Sequence, residues 1–555
     1  MVKTKKNWKL LSDKKFHIND DPIVLEKIIL ENRGFKSSED AQEFLHPHLN
    51  KITYESVGIE EKSVKTALKR LKLAQKNDEQ IVVFGDYDVD GITGSAILWE
   101  TLSRAGYRVM PYIPHRTDEG YGLSQKGIDN AILLYPNTKL IITVDNGIVA
   151  HEAVLYAKEK GIDVIITDHH LSEDKKELPA AISIIHTTAL CGAGVAWLFA
   201  KEFKNDETKD DHLELAALGT IADLVPLLKE NRAIVYFGLE ALSRTKRVGL
   251  KSLYTLSGLD GKKITTYDVG HIIAPRLNAS GRLEHAMDSL RLLCTTDPRR
   301  ARELAEKLQT INLERQKIMF EGTLHASTYF REISDLKKVL IVSHSTYSEG
   351  VIGLIAGKLV EEYYRPAIVI SEGEKMSKGS VRSVAGFNII SFLREHKDFF
   401  INVGGHPMAA GFSIETARIK DFKKRLEDES ELKVEDNVLK RSLIIDCEIE
   451  LSSINQNVYS SIQKFSPFGM KNHEPVFLSK KVILREFRPL GKEGKHVRFI
   501  IQQDDGMNVY EGVGFGLGER IQELEKGSYL DVVFSIDENT WNGNTKLQLK
   551  IKDFA

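Results

Sequence analysis

The sequence predicts an α/β protein with a parallel-sheet domain, a second α/β domain after a long helix, and a C-terminal β-barrel. Between about residues 80 and 225, apolar strand-like runs alternate with helix-like segments, which is the βαβ pattern of a parallel sheet. From about residue 440 the pattern changes to short alternating strands separated by turn signals. The 555 residues are enough for about three to four domains.

Composition is typical of a globular protein and excludes several other classes. Hydrophobic residues make up 42% and charged residues 28% of the chain. No apolar run reaches the length of a membrane span, and the basic N-terminus lacks the apolar core of a signal peptide. The three cysteines show no metal-type or redox-type spacing, so we expect a cytoplasmic protein. The net charge of −2 means that nucleic acid could bind only through local basic patches.

Three apolar runs of the first domain each end in an acidic residue. The run IVVF leads into GDYDVDG (residues 85–91), LIITV leads into Asp145, and VIIT leads into DHH (residues 168–170). Ligands bind outside the carboxyl ends of parallel strands, so these acidic residues are expected to converge on one site. Carboxylate and imidazole side chains together suit manganese or zinc. The sequence therefore predicts a metal-dependent enzyme.

Each of these motifs, taken alone, permits a second interpretation. GDYDVDG could be an acidic surface turn, but a calcium loop is excluded because Ile97 stands where that loop has its glutamate. Gly91 and Gly94 allow a close approach to a ligand, and residues 95–98 are expected to start a helix. Asp223 lies in an otherwise apolar segment, where it is either a charge that needs a partner or a capping or surface aspartate.

The rest of the chain predicts a long helix, a second sheet and a barrel. Residues 297–320 are rich in helix formers, and a new α/β pattern follows with strands at residues 339–342 and 367–370 and a helix at 350–362. Residues 426–435 are the best linker candidate, and Asn542-Gly543 signals a hairpin turn.

The barrel region also carries a local excess of basic residues. Between residues 480 and 498 there are seven basic side chains against two acidic ones, with Phe487 and Phe499 interleaved. Such a pattern favours a groove that follows a phosphate backbone, although solvated strand faces are also rich in lysine.

These motifs together resemble the DHH phosphoesterase superfamily. The motifs in chain order are GDYDVDG, VDNG, DHH and GTIADLVPL. Five further segments are similar to the RecJ family of single-stranded-DNA exonucleases: LCGAGVA (190–196), RLNASGR (276–282), SEGVIG (348–353), GGHPMAAG (404–411) and PFG (467–469). The resemblance runs from about residue 70 to the C-terminus.

The resemblance implies a centre that holds two ions, Mn²⁺ or Mg²⁺. The implied ligands are Asp86, Asp88, Asp90, Asp145, His169 and Asp223. Asp145 would bridge the ions, and His170 would contact the scissile phosphate. Related pyrophosphatases carry a histidine where this chain has Phe84, so Asp86 is expected to supply that ligand.

Phosphate and base contacts are implied as well. Arg276, Asn278 and Arg282 offer donors for phosphate, although a single arginine is more often a surface ion pair. In the second α/β domain the implied phosphate-binding residues are Ser380, Arg382 and His406, with Arg116 contributing to the 5′-phosphate site. Tyr121 would stack on the terminal base, or else serve only in packing.

The implied activity is a two-metal-dependent 5′-to-3′ exonuclease that hydrolyses single-stranded DNA to 5′-mononucleotides in DNA repair and recombination. Its active site would lie in the cleft between the α/β lobes. The implied partners are a helicase and a single-strand-binding protein, with no membrane. One alternative is a DHH-family phosphodiesterase on short oligonucleotides or cyclic dinucleotides, which the added β domain argues against. Another is a non-catalytic replication scaffold, which the retained carboxylates argue against.

The expected domain limits follow from the same resemblance. They are an N-terminal helical extension (1–70), a DHH catalytic domain (71–295), a connecting long helix (296–334), a DHH-associated domain (335–435) and an OB-fold nucleic-acid-binding domain (440–555).

Overall fold

The computed structural model describes residues 6–116, 118–171, 178–204, 208, 210–503, 508–541 and 544–555. The helices are α1 (Pro22–Asn32), α2 (Ser38–Leu45), α3 (Glu61–Lys76), α4 (Val89–Arg104), α5 (Gln125–Leu134), α6 (His151–Glu159), α7 (Gly192–Ala200), α8 (Leu213–Ala222), α9 (Lys229–Ser243), α10 (Val248–Ser257), α11 (Thr266–Asp268), α12 (Ala274–Leu283), α13 (Met287–Cys294), α14 (Pro298–Arg331), α15 (Ile352–Tyr363), α16 (Ile389–Arg394), α17 (Ile419–Lys433) and α18 (Gln456–Gln463). The strands are β1 (Asn7–Leu10), β2 (Lys15–Phe16), β3 (Gln80–Phe84), β4 (Val109–Tyr112), β5 (Thr138–Val144), β6 (Asp163–Asp168), β7 (Ser183–His186), β8 (Leu340–His344), β9 (Ala367–Ser371), β10 (Met376–Arg382), β11 (Phe400–His406), β12 (Ala409–Glu415), β13 (Ser442–Ile445), β14 (Cys447–Ile449), β15 (Phe477–Leu490), β16 (His496–Gln502), β17 (Val509–Gly514), β18 (Tyr529–Trp541) and β19 (Asn544–Phe554). The predicted turn at Asn542-Gly543 lies outside the described residues.

The chain folds into two compact units. The first unit contains residues 39–315 and 466–473, and the second contains residues 1–38, 316–465 and 474–555. Helix α14 is continuous from Pro298 to Arg331, so its first part belongs to the first unit and its last part to the second. The domain limits expected from the sequence stay predictions. Among the described residues, no helix combines the length and the apolar character that a membrane crossing requires.

The first unit is built on a parallel sheet of five strands in the order β4-β3-β5-β6-β7. Its strands are almost wholly apolar because helices cover both faces. Ile81 and Val83 lie in the core formed with α3, α4 and α7, whereas Val82 and Phe84 lie in the core formed with α5 and α6. The predicted parallel sheet is therefore confirmed.

The strand order places a ligand site at one end of this sheet. Successive strands lie on opposite sides of β3, with β4 on one side and β5 on the other. The crevice outside the carboxyl ends at such a switch point is where open α/β sheets bind ligands. Asp86 follows β3 and Asp145 follows β5, so both carboxylates lie at this crevice.

Helix α4 begins earlier than the sequence predicts. The expected start at residues 95–98 is wrong, because the helix begins at Val89 directly after the N-cap Asp88. The Asp88 carboxylate accepts hydrogen bonds from the amides of Asp90 and Gly91 at 3.0 and 3.1 Å. Capping by a motif aspartate thus brings the motif into the first turn of the helix.

The second unit contains a five-stranded mixed sheet in the order β11-β12-β10-β9-β8. Only β8 and β9 pair in parallel, and the other neighbours are antiparallel. The predicted linker at residues 426–435 is wrong, because most of it belongs to α17. Phe422 and Leu426, one helical turn apart, are both fully buried in the core beside the sheet, and that burial holds the segment as a helix.

The same unit contains the predicted C-terminal barrel. The strands run in the order β16-β17-β19-β18-β15-β14-β2, and an additional pairing of β15 with β16 closes a barrel of five strands. Strand β2 pairs with β14 and so extends this sheet, whereas β1 and β13 form a separate two-stranded parallel sheet. The predicted fold class, two α/β sheets, a long helix and a C-terminal barrel, is confirmed.

Candidate metal centre

The first unit gathers six aspartates and two histidines at the carboxyl edge of its sheet. They are Asp86, Asp88, Asp90, Asp145, Asp168, His169, His170 and Asp223. Three combinations have donor atoms within 4.8 Å of one another: Asp86 with Asp88 and Asp145, Asp90 with His169 and Asp223, and Asp145 with His169 and His170. All six residues predicted as ligands lie together, and their role as ligands stays a prediction.

Asp145 lies between two of these groups. It follows β5 with a left-handed backbone (φ 63°), a conformation that aspartate tolerates better than most side chains. Its carboxylate Oδ1 is 3.1 Å from Nε2 of His169, and the same side chain belongs to the group with Asp86 and Asp88. Gly192 leaves room for it, since a Cβ there would lie 2.5 Å from the Asp145 Cβ. Asp145 is therefore shared by two candidate ligand groups, and its bridging role stays a prediction.

Asp90 is held by the start of helix α7. Its carboxylate oxygens accept hydrogen bonds from the amides of Gly192 and Ala193 at 2.6 and 2.8 Å, where the helix dipole favours negative charge. Nε2 of His169 lies 3.7 Å from Asp90 Oδ2 and 3.6 Å from Asp223 Oδ2. The imidazole therefore stands between the two carboxylates.

Asp168 orients the two histidines. Its Oδ1 accepts a hydrogen bond from the His169 amide at 2.7 Å and from Nδ1 of His170 at 2.8 Å, while Oδ2 accepts one from the Ile148 amide. Burial alone would lower the pKa of His170, but the hydrogen bond to Asp168 raises it to about 9. His170 is therefore cationic at neutral pH in the metal-free protein. The sequence pointed to Asp168 only as a strand end, and its orienting role becomes visible in the structure.

The carboxylates of the centre repel one another. Burial raises the pKa of Asp86, with Asp88 adding to it, and burial together with Asp90 raises the pKa values of Asp88 and Asp145. Burial and Asp90 also raise the pKa of Asp223 to about 8. Buried acids in this number need a compensating positive charge.

Buried polar atoms that lack a hydrogen bond show where a compensating cation would fit. Asp86 Oδ1, Asp145 Oδ1 and His169 Nε2 are buried, and no described residue forms a hydrogen bond with them. Burial lowers the pKa of His169, which keeps the imidazole in the neutral form that binds metals. The donor set of carboxylates and one imidazole therefore fits Mn²⁺ or Mg²⁺.

Related pyrophosphatases have a ligand histidine at the position of Phe84, and here Phe84 is a packing residue while Asp86 offers the oxygen. Phe84 is fully buried, and its ring packs against Tyr112 with the ring centres 5.1 Å apart. Asp86 offers an oxygen to the same group as Asp88 and Asp145. The geometry is consistent with Asp86 as the replacement ligand.

An aromatic row leads away from the centre. The Tyr121 hydroxyl lies 3.0 Å from Nε2 of His170 and donates to the Asp145 carbonyl oxygen at 3.3 Å, while its side chain is 52% exposed. Tyr87 meets Tyr121 edge to face, and the Arg116 guanidinium lies over the Tyr87 ring at 5.1 Å. The structure thus brings Arg116 and Tyr121 to the centre. Tyr87 was not predicted, although its place between two motif aspartates was a signal.

Helix α12 contributes in three different ways. The side-chain oxygen of Asn278 accepts a hydrogen bond from the Val89 amide at 2.9 Å, so Asn278 holds the start of α4. Arg282 lies near enough to Tyr87 to act on its pKa electrostatically. Arg276 instead donates to the Gln309 side chain at 2.7 Å and to the Ile272 carbonyl. The helix therefore supports the centre through Asn278, and a role for Arg282 or Arg276 in binding phosphate stays a prediction.

The second unit has a candidate phosphate site of its own. Ser380 and Arg382 lie on the same face of β10, and Arg382 donates to the Ser380 hydroxyl at 3.4 Å. A Cβ at Gly353, in the first turn of α15, would lie 2.9 Å from the Ser380 hydroxyl oxygen and 3.0 Å from the Arg382 guanidinium. Ala409 pairs with both Arg382 and His406, so His406 lies on the same sheet two strands away from Arg382.

The basic surface of the barrel differs from its prediction in part. Phe499 is fully buried, so it is a core residue and not an exposed aromatic. Three of the basic residues are ion-paired: Arg498 with Glu511 at 2.7 Å, Lys480 with Glu448 at 2.9 Å and Lys495 with Glu493 at 2.5 Å. Lys481, Arg488 and Lys492 form no ion pair with any residue that the structure describes.

Three protein families match successive parts of the chain. Residues 80–220 match the DHH family N-terminal domain, residues 336–431 match the DHHA1 domain, and residues 445–553 match the RecJ OB domain. These matches cover both sheets and the barrel.

A relative and two crystal structures extend the match to nearly the whole chain. The single-stranded-DNA-specific exonuclease RecJ of Bacillus subtilis (strain 168) is 38% identical over 547 residues, which are 96% of this chain and 68% of that protein. RecJ of Thermus thermophilus in complex with Mn²⁺ has a TM-score of 0.82 at 28% identity, over 100% of this chain and 80% of that chain. Its complex with Mg²⁺ has a TM-score of 0.75 at 27% identity, over 99% and 78%. The chain belongs to the RecJ family.

Proposed function

We propose that this protein is a Mn²⁺- or Mg²⁺-dependent exonuclease that degrades single-stranded DNA from the 5′ end to 5′-mononucleotides. The observation that carries the proposal is the buried carboxylate cluster with Asp145 between two ligand groups. The names of the RecJ relatives support the substrate, and the Mn²⁺ and Mg²⁺ complexes support the metals. The 5′-to-3′ polarity and the mononucleotide product rest on the family resemblance.

Two ligand groups would hold the ions. Asp86 and Asp88 would bind one ion, Asp90, His169 and Asp223 would bind the other, and Asp145 would bind both. When bound, such a metal pair activates water and stabilises the leaving oxygen of an in-line displacement at phosphorus.

The chain's own residues then act on the substrate. His170, held by Asp168 through Nδ1, donates from Nε2 to the scissile phosphate in place of the Tyr121 hydroxyl and stabilises its growing negative charge. Before substrate binds, the Tyr121 hydroxyl holds the His170 ring, and the exposed Tyr121 ring offers a surface for the terminal base. Stacking is tolerant of sequence, as a general exonuclease requires.

The remaining predicted residues bind the strand. In the second unit, Ser380 and Arg382 contact the 5′-phosphate, with His406 two strands away from Arg382 on the same sheet; in the first unit, Arg116 is a further phosphate contact, and planar guanidinium groups suit that task. The barrel binds the strand backbone through its unpaired basic residues. We place the protein in the cytoplasm, in DNA repair and recombination, with a helicase and a single-strand-binding protein that supply and protect single strands.

A nuclease assay with defined ends tests this function. Single-stranded DNA carrying a 5′-phosphate and a 3′ label is incubated with Mn²⁺, and we expect 5′-mononucleotides together with a ladder of 3′-labelled products that shortens with time. Asp145→Asn should be inactive, whereas Asp129→Asn, which changes an exposed aspartate of the same unit, should cut normally. Duplex DNA, dinucleotides and cyclic dinucleotides form the comparison arms. Preferential cleavage of the dinucleotides, or intact DNA with both variants and the wild type, would reject the proposal.

A further inference from the structure

We infer that a buried ion cluster positions two of the metal ligands from a distance. The cluster lies at the C-terminal part of α4 and the N-terminus of α8, and the ligands Asp90 and Asp223 lie at the opposite ends of these two helices. The cluster consists of Glu100, His212, Glu214 and Arg247. The inference rests on the proposed function, because it concerns the ion held by Asp90, His169 and Asp223.

The cluster is closely bonded, and its side chains are largely buried. Nε2 of His212 lies 2.9 Å from Oε2 of Glu100, and Arg247 donates to both Glu100 oxygens at 2.8 and 2.9 Å. Arg247 also donates to Glu214 through Nε at 2.7 Å. His212 and Glu100 are 3% and 8% exposed. A bidentate guanidinium–carboxylate pair fixes direction as well as distance, so the cluster is a rigid joint.

The joint ties together the two helices that carry metal ligands. Helix α4 has Asp90 in its first turn and Glu100 in its last turns, while α8 starts directly after His212 and ends before Asp223. At 1.5 Å per residue, each stretch from joint to ligand is about 15 to 17 Å long. The two helices pack against each other along this length. Because the two stretches are similar in length and lie side by side, fixing the helices at the joint also fixes the position of Asp223 relative to Asp90 along the helix axes.

At the ends of α4 and α8 that carry Asp90 and Asp223, the packing leaves little room for one helix to slide along the other. His169 spans Asp90 and Asp223 with Nε2 at 3.7 and 3.6 Å from their carboxylates. A Cβ at Gly219, in α8, would lie 2.5 Å from Asp90 Oδ1, so the helices are already in close contact there. Since a site loses function when its ligands shift by about 1 Å, sliding of α8 along α4 would weaken this ion site first.

The backbone and ring of His212 show that its position is imposed. It has a left-handed backbone (φ 69°), which histidine adopts less readily than glycine. Its Nδ1 is buried without a hydrogen-bond partner among the described residues, so Nε2 and Glu100 alone hold the ring. Loss of the Glu100 charge therefore releases the His212 ring, while Arg247 keeps its bonds to Glu214 and to the Leu293 carbonyl but loses its tie to α4. These residues act through the helices and are positioning residues.

The variant Glu100→Gln tests the joint because it keeps the shape and removes the charge. The cluster borders a cavity of about 710 Å³, which can admit water to groups that lose a partner, so the variant is expected to fold. The matched control is Glu79→Gln. Glu79 pairs with Arg70 at 2.7 Å, and Arg70 also binds Asp163, in a partly buried cluster that does not join α4 to α8.

The readout is the affinity for Mn²⁺ alone, measured by calorimetric titration without DNA. Glu100→Gln should bind one of its two ions at least tenfold more weakly and the other within about twofold, and its nuclease activity should recover at high Mn²⁺. Arg247→Lys, which keeps the charge but loses the fork, should lie between Glu100→Gln and the wild type. Glu79→Gln should bind both ions as the wild type does.

The outcomes separate this inference from the proposed function. If the wild type binds no pair of ions, the proposed metal centre itself fails. If the wild type binds two ions and Glu100→Gln binds both with unchanged affinity, only the positioning role is refuted. Equal losses in Glu100→Gln and Glu79→Gln would refute it as well, because they would reflect general loosening of the unit.

Discussion

The metal centre and the barrel use charged residues in opposite ways. On the barrel, acidic and basic side chains of neighbouring strands pair directly, as Arg498 does with Glu511 and Lys550 with Asp537. In the centre, carboxylates such as Asp86 and Asp145 are buried beside one another and lack hydrogen bonds from any described residue at one oxygen each. Paired charges are explained within the fold, whereas unpaired buried charges are costly and point to a bound ion. The difference separates charges that stabilise the fold by pairing with each other from charges that are placed to bind an ion.

The largest effect is expected for Asp145→Asn. Removing the carboxylate shared by both ligand groups should lower kcat at least a thousandfold in the 5′-exonuclease assay with Mn²⁺. The metal-free variant should unfold at a higher urea concentration than the metal-free wild type, because one repelling charge has gone. Loss of activity together with loss of stability would instead mean that Asp145 is a structural residue.

Glu100 is a buried charge of the same unit that is paired, and its pairing should make the free energy of unfolding depend on pH. Burial would raise the pKa of Glu100, but the hydrogen bonds from His212 and Arg247 hold it at about 2, below its ordinary value of 4.5. The unfolded chain therefore takes up this proton first, so the stabilisation is present above about pH 4.5 and is lost as the pH falls towards 2. It amounts to roughly 3 kcal/mol. The difference in unfolding free energy between wild type and Glu100→Gln, measured in urea at pH 6 and pH 3, should shrink by most of this amount. A difference independent of pH would contradict the assigned pairing.

Metal binding should stabilise the wild type more than the variant that lacks Asp145. With Mn²⁺ at a hundred times its Kd, the unfolding free energy should rise by about 2.7 kcal/mol for each site relative to EDTA. Asp145→Asn should show less than half of the total gain. Urea unfolding with and without Mn²⁺ measures both proteins, and an equal gain in the two would place the ions elsewhere.

The smallest effect concerns two lysines of one barrel loop. Lys492 has no ion pair among the described residues, whereas Lys495 pairs with Glu493. Lys492→Ala should lower affinity for single-stranded DNA and reduce the salt slope by about 0.7, the value for one phosphate contact on a single strand. Lys495→Ala should change the slope by less than half of that. Fluorescence anisotropy at several salt concentrations measures both, and the reverse order would show that pairing does not decide which lysine meets DNA.

Much of the fold and of the candidate site could be predicted from the sequence. The strands before Asp86, Asp145 and Asp168 are short apolar runs with acidic ends, and that pattern is local, so it can be read without the structure. The convergence of these ends followed from the geometry of parallel sheets.

Other features depend on contacts between residues far apart in the chain and could not be predicted from the sequence. The segment near Leu426 is charged and resembles a linker until its apolar positions are seen in the core. Phe499 alternates with basic residues, but only the closed barrel shows that it points inward. The joint of Glu100 with His212 links residues 112 positions apart in the chain. Such pairs leave no local pattern.

Electron paramagnetic resonance of Mn²⁺ in the metal-loaded protein tests the central claim most directly. If Asp145 bridges two ions about 4 Å apart, the wild type should bind two Mn²⁺ per chain and give the spectrum of a magnetically coupled pair. Asp145→Asn should give only isolated Mn²⁺ signals. A single bound ion, or two uncoupled ions in the wild type, would contradict the assignment of the buried carboxylates to a two-metal centre.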